Sequence, residues 1–220
     1  MPDRRLFLKQ LVLGLGGAFG LIIRGFPHFD RAWGAVKRLL PKGTRLETLV
    51  NENPALLDAR HLEIQPLEKF GTMGLSDHQT ELNAWRLTVS GEVKKNFSLT
   101  YDQLRGLPGV ERPVLMICPG FFANHGVWKG FSLAEMAKRA GLKKGVNFVT
   151  LSGPAGLYEK TGRFPLKDIP SAKVFLAYQV NGEPLTQKHG YPLRLVAEGY
   201  YGYEWIKYVD AIRFEKIDPR

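Results

Sequence analysis

Between Trp85 and Val209 the chain sets six strand-type runs among turn residues and offers only two helix starts, so its fold must be built on sheet. Trp85, Leu87 and Val89 alternate with Arg86, Thr88 and Ser90, which predicts a half-buried strand ending at Gly91. Val114 to Ile117 is a continuous apolar run, the pattern of a strand covered on both faces. Phe148 to Leu151, Val174 to Val180, Leu193 to Ala197 and Trp205 to Val209 complete the set, and Asn181-Gly182 signals a tight turn after the run that ends at Val180. Thr100 with Gln103 and Ser132 with Glu135 each predict a capping box, the first opening a helix over Tyr101 to Leu107 and the second a helix that ends at Gly141. The chain has no βαβ alternation and no internal repeat, so the expected class is α+β: a mixed, mostly β domain with short helices, not a doubly wound nucleotide fold. Residues 46 to 83 show little periodicity and are expected to wrap the body.

The run Val114 to Ile117 delivers Cys118 into Pro119-Gly120, where regular structure must stop. Cys118 is the only cysteine of 220 residues, which excludes an intramolecular disulfide, a CxxC zinc or redox pair, an iron–sulfur cluster and a CxxCH haem site in this chain. Any role for that thiol is solitary. The formal charge of +10 invites a nucleic-acid reading, but its distribution answers it. Residues 1 to 45 hold nine basic and two acidic residues, whereas residues 46 to 220 hold 22 and 19. The body is nearly balanced and lacks a basic stripe with interleaved aromatics, which excludes nucleic acid as the expected partner.

The basic segment reads as an export leader. Arg4 and Arg5 precede Leu6-Phe7-Leu8-Lys9, and residues 11 to 23 form an uncharged run closed by Arg24. Thirteen residues match a signal h-region and fall short of the roughly 20 needed to span hydrocarbon as a helix. The paired arginines resemble the twin-arginine export motif, whose route carries folded and commonly cofactor-loaded proteins, so a bound cofactor and a periplasmic location are implied. No small-x-small site follows Ile23 directly, which leaves the protein tethered to the membrane if the segment is not removed. The glycines of that run do not make a dinucleotide loop, because Phe19 takes the third glycine position. Trp33, Val36 and Leu40 share one helical face, as in an interfacial helix, with a short linker as the alternative. The domain division is thus 1–45, leader or anchor and basic linker, and 46–220, the globular body.

Five segments in order resemble the sulfite oxidase family of molybdopterin-dependent oxidoreductases, in its short exported bacterial form. They are WRLTVSGEV, LTYDQL, LMICPG, WKGFSLAEMAKRAG and LAYQVNGEPLTQKHGYPLRLVAEGYYGYEWIKYV, within residues 84 to 214. The resemblance implies that Cys118 gives its thiolate to molybdenum, beside the two dithiolene sulfurs of one molybdopterin. A soft thiolate at a strand end suits a two-electron metal that needs an open face. The resemblance also implies that His189 and Arg194, in HGYPLR, contact the cofactor, and that Trp205, Ile206 and Lys207 form a further cofactor segment. Outside the resemblance, Arg194 and Lys207 read as surface charges and His189 as a turn residue. Asn124 and His125 follow Cys118 closely enough to line its loop, where His125 would shuttle a proton. The resemblance further implies that Tyr158, after a glycine-rich stretch, is the active-site tyrosine that many family members have.

The segment after Cys118, Pro-Gly-Phe-Phe-Ala-Asn-His, lacks the arginine with which sulfite oxidases hold the sulfite dianion. The expected function is therefore two-electron oxygen-atom transfer on a small substrate, S-oxide or N-oxide reduction rather than sulfite oxidation, with Phe121 and Phe122 at a partly apolar entrance. The carrier would be a periplasmic cytochrome or a membrane haem subunit, because this chain holds no second redox centre. Two other classes compete. A cysteine hydrolase would use Cys118 with His125 or His189 and an Asn, and a cofactor-binding or membrane-surface module would bind without turnover. The family's early cofactor segment is not recognisable in residues 46 to 83, where only Gln65 to Phe70 hints at it.

Overall fold

The computed structural model describes residues 36–218, whose compact unit starts at Lys37. The leader, with Arg4, Arg5 and the apolar run, lies outside the described residues, as does Trp33. In chain order the elements begin with strands β1 (Arg38–Leu39), β2 (Leu57–Asp58), β3 (Leu87–Gly91) and β4 (Phe97–Leu99), then helix α1 (Tyr101–Arg105). The hairpin β5 (Gly109–Cys118) and β6 (Phe122–Ser132) follows, then α2 (Leu133–Ala140), β7 (Phe148–Ser152) and β8 (Thr161–Pro165). The chain closes with β9 (Val174–Val180), β10 (Glu183–Pro184), β11 (Arg194–Ala197) and β12 (Ala211–Glu215). This is the mostly β architecture that the patterning predicts.

Two five-stranded sheets carry the body. One runs β10-β9-β6-β5 with β11 also paired to β9, and the other runs β4-β3-β12-β7-β8, in which β12 lies parallel to β3. Thr100 caps α1 with the complete box, its side chain taking the Gln103 N–H while Gln103 returns to the Thr100 N–H. Ser132 caps α2 by accepting from Ala134 N, but no box forms, because Glu135 pairs with Arg139 one turn on. Gly141 closes that helix in the left-handed region at φ 65°.

The β5–β6 hairpin positions the site. Its turn is Cys118-Pro119-Gly120-Phe121, closed by Phe121 N–H to Cys118 O at 3.0 Å, with proline at the second place and glycine at φ 77° in the third. That is a type II turn, whose third place demands a positive φ. Side chains alternate along the two strands. Val114 and Met116 belong to the main core, while Leu115 and Ile117 face a second core with Leu40, Leu49, Leu57 and Leu62 from the amino-terminal wrap. Both faces of β5 are thus covered, which explains its unbroken apolar run, and each buried Leu or Ile there contributes roughly 1.5–3 kcal/mol.

Three local expectations are corrected. Trp205 to Val209 is not a strand; it follows a 3-10 turn at Gly202–Glu204 as an irregular segment hydrogen-bonded to β11 through Leu195 N to Ile206 O and Val209 N to Leu193 O. The positive φ of Tyr208, 58°, breaks the extended run, and the strand forms later as β12. Residues 36–40 do not continue a helix, since Arg38–Leu39 pairs in parallel with Leu57–Asp58 and Leu40 is buried in the second core. The chain after Cys118 is not an open loop but the strand β6, which places Asn124 and His125 in a ladder opposite Met116 and Leu115.

Candidate active site

A cavity of about 270 Å³ opens where the hairpin tip, the segment after β11 and a strap at residues 71–75 meet. Cys118 and Met116 line it from one face of β5, and Phe122 lines it from β6. Gly71 lets the strap approach, because a Cβ there would lie 2.3 Å from the Phe122 ring. Asn124 then fastens the strap at both polar edges of Gly71, accepting from its N–H at 2.9 Å and donating to its carbonyl at 2.8 Å. Cys118 Sγ ends 3.8 Å from Met73 Sδ on the same strap. Burial pushes the Cys118 thiol up, and the Lys160 charge partly offsets it.

Three cations converge on this cavity: Arg194, Lys207 and Lys160. Arg194 is 4% exposed and its guanidinium sits over both Trp128 and Trp205, 4.9 and 5.4 Å from the ring centroids. Its Nη1 donates to His189 O at 3.0 Å, while Nε is buried without a partner. Desolvation lowers its pKa to about 10. Lys207 donates to Thr72 Oγ1 at 2.9 Å and Leu75 O at 3.2 Å, and burial with repulsion from Arg194 and Lys160 lowers it to about 8. Lys160 donates to Trp205 O at 2.9 Å, and desolvation and then Arg194 depress it. None of the three forms an ion pair with a carboxylate among the described residues.

Of the three only Arg194 is buried, Lys207 being half-buried and Lys160 exposed, and a buried cation without a carboxylate costs several kcal/mol unless an anion completes it. The cavity is therefore built for an anionic ligand with a soft-metal end: unpaired cations on one wall and a lone thiol on the other. The indole N–H of Trp205 and Nε2 of His189 are further buried polar atoms without partners. This donor set fits molybdopterin, with its terminal phosphate and sulfur-bound metal.

The structure brings together Cys118, Tyr158, Arg194, Trp205 and Lys207 at the cavity wall. Tyr158 commits its hydroxyl to Asp77 at 2.8 Å, which raises its pKa, and packs against His78 and Tyr208. His189 sits behind the wall, Nδ1 at 2.7 Å from Thr186 Oγ1, and burial lowers its pKa to about 4. Ile206 turns into the core between Trp205 and Lys207 and does not line the cavity. His125 is the clearest correction. Paired with Leu115, it faces away from Cys118 toward the wrap, Nδ1 donating to Glu63 O at 3.1 Å, so it lies outside the cavity and does not take the expected place of a proton shuttle there. Asn124 shares the Cys118 face, yet its amide is spent on Gly71 and it does not line the cavity either. Phe121 is 70% exposed at the turn, so of the two phenylalanines only Phe122 lines the cavity.

Sequence reasoning missed the strap, Lys160 and Tyr208. The strap's sole signal is Gly71-Thr72-Met73-Gly74 just after the Gln65 to Phe70 hint; Lys160 carries none, being far along the chain from Cys118.

A family model described as oxidoreductase molybdopterin binding domain matches residues 74–220. The chain is 32% identical over 137 residues to YuiH, an oxidoreductase of Bacillus subtilis (strain 168) described as uncharacterized, covering 62% of this chain and 68% of that one. It is 31% identical over 160 residues to NADH nitrate reductase 1 of Oryza sativa subsp. japonica, covering 59% of this chain but only 18% of the plant enzyme. Among solved structures the sulfane dehydrogenase SoxCD of Paracoccus pantotrophus shares the fold, with TM-score 0.60 at 20% identity over 90% of this chain and 55% of that one.

Proposed function

Because this chain belongs to the oxidoreductase molybdopterin binding domain family, and is a molybdopterin-dependent oxidoreductase, we propose that it moves an oxygen atom to or from a small substrate outside the cytoplasm. The favoured direction is reduction of a neutral S-oxide or N-oxide. One observation carries the reading: the Cys118 thiol opens on the same cavity as three cations that form no ion pair among the described residues.

In this proposal Cys118 holds the metal as thiolate, and loses its proton on binding. Arg194 and Lys207 hold the terminal phosphate, with the guanidinium fixed in advance between two indole faces. Trp205 offers its unpartnered N–H, while His189, neutral at pH 7, keeps the Arg194 fork aimed through its carbonyl. The bound cofactor supplies the two-electron oxygen-atom exchange. Asn124 acts on the site by fastening the strap, and Tyr158 ties down the chain just beyond it through Asp77. Met73, Leu75, Phe122 and Leu157 make the entrance largely apolar, which supports a neutral oxide over a dianion.

The Arg4-Arg5 leader supports twin-arginine export to the periplasm, tethered where the segment stays attached, with a periplasmic cytochrome or membrane haem subunit as electron partner. Metal and pterin analysis of protein from cells that make the cofactor tests the core of the reading, alongside turnover of S-oxides, N-oxides and sulfite with artificial donors and acceptors. Molybdenum near one atom per chain with oxide reduction is the expected result. Sulfite turnover without oxide reduction overturns the substrate preference, and a molybdenum-free, iodoacetamide-sensitive hydrolase overturns the rest.

A further inference from the structure

The three cavity cations are not equivalent. Arg194 and Lys207 stand side by side, since a Cβ on Gly190 would lie 3.1 Å from the Cβ of each. Lys207 already spends two N–H groups on the strap, and Arg194 is enclosed by indoles. Lys160 arrives from the other direction, just before β8, and spends one of its three N–H groups, on Trp205 O. Glu204, whose carboxylate accepts the Tyr201 N–H at 2.9 Å, attracts Lys160, and Glu159 lines the same cavity, but neither forms an ion pair with it among the described residues. Lys160 lines the same cavity as Cys118, and its charge offsets part of the rise that burial gives the thiol. The cavity also presents an apolar patch to that sulfur: Met73 Sδ at 3.8 Å, Phe122, and Leu157, which is 77% exposed at the rim.

One cation beside an apolar rim matches a molecule with one negative oxygen and an apolar remainder. We propose that Lys160 is the specificity-determining residue of the site, its ammonium taking the oxygen end of an S-oxide or N-oxide while Met73, Phe122 and Leu157 receive the apolar end. This rests on the oxide-reduction reading. Overall the S–O or N–O bond breaks, the sulfur or nitrogen gains two electrons from the external carrier, and oxygen leaves as water with two protons from solvent. Lys160 ends unchanged. It supplies the positive charge that the segment after Cys118 lacks, from a part of the chain where no local motif announces it.

The test uses full-length wild type, Lys160→Met and Lys160→Arg. In chain purified without cofactor, Cys118 is alkylated at one pH by iodoacetate and by iodoacetamide; the ratio of the two rates cancels the thiolate fraction and reads the local charge. Wild type is expected to favour the anionic reagent about threefold or more over Lys160→Met at low salt, with Lys160→Arg retaining the preference and 0.5 M salt removing it, as roughly expected for a partly exposed charge. In loaded enzyme of equal molybdenum content, Lys160→Met is expected to raise KM for dimethyl sulfoxide and trimethylamine N-oxide about tenfold, the size of a lost charge-assisted hydrogen bond. An unchanged ratio, or an unchanged KM, with wild-type oxide turnover intact overturns the role of Lys160 alone. A wild type that reduces neither oxide overturns the underlying reading, and the proposal with it.

Discussion

Two clefts on this body hold three cations each, and they differ in what answers them. The second, near the amino-terminal wrap, is lined by Lys37, Arg60 and Arg112 together with Asp58 and Glu198. Arg112 and Lys37 both pair with Glu198, the latter at 3.3 Å, and Arg60 forks onto Asp58 at 2.8 and 3.0 Å. In the active-site cavity Arg194, Lys207 and Lys160 form no ion pair among the described residues, although Glu159 also lines it. In the first case the protein completes its own charges, and the cleft is a clamp holding the wrap to the sheet. In the second it leaves the charges for a ligand to complete. Net charge does not distinguish the two; the accounting of partners does.

The largest expected effect falls on the sulfur. Cys118→Ala retains pterin through Arg194 and Lys207 yet loses more than about 100-fold in turnover, beyond the effect of an outer contact, as steady-state assay beside metal analysis will show. Next, Arg194→Met separates the clefts by sign. It lowers cofactor occupancy about 10- to 100-fold, yet stabilises the cofactor-free chain by about 1–2 kcal/mol in urea unfolding, because an unanswered buried charge is gone.

A pH effect ranks third. Burial holds the His189 pKa at about 4, below its ordinary 6.5, so the unfolded chain binds the extra proton first. Stability is complete above pH 6.5 and declines as pH falls toward 4, by about 1–2 kcal/mol after discounting for partial hydration. His189→Gln flattens that slope in thermal unfolding; an unaltered slope removes His189 as its source. Smallest is Glu198→Gln in the second cleft, which leaves Arg112 and Lys37 without their shared partner. It costs about 1 kcal/mol or less, these groups being partly exposed, and leaves molybdenum content unchanged. A loss of metal there breaks the distinction between clamp and site.

The hairpin shows how far local sequence reaches. Val114 to Ile117 announces a strand covered on both sides, and Pro119-Gly120 fixes the turn that presents Cys118, because turn type and side-chain alternation depend on adjacent residues. The same reasoning failed at His125, read as a loop residue; strand parity sends it to the opposite face, and parity requires knowing that β6 pairs with β5. Trp205 to Val209 failed similarly, since its apolar run reads as a strand while Tyr208 adopts a positive φ. The resemblance carried Arg194, Trp205 and Lys207 onto positions that do line the cavity, but it gave no reason why the two cations form no ion pair among the described residues.

The sequence by itself determined the sheet-rich class, the place of the single thiol at a strand end and the two helix caps, all of which follow from short-range periodicity and turn chemistry. Only the tertiary structure decided that Gly71, Met73, Lys160 and Arg194 face one another across that thiol. They come from three separate stretches of chain, none of them the hairpin that carries the thiol, and their meeting is set by strand register and by glycine contacts such as Gly71 on Phe122. No local propensity encodes which distant charges will be left unpaired, because that depends on what every neighbouring element brings.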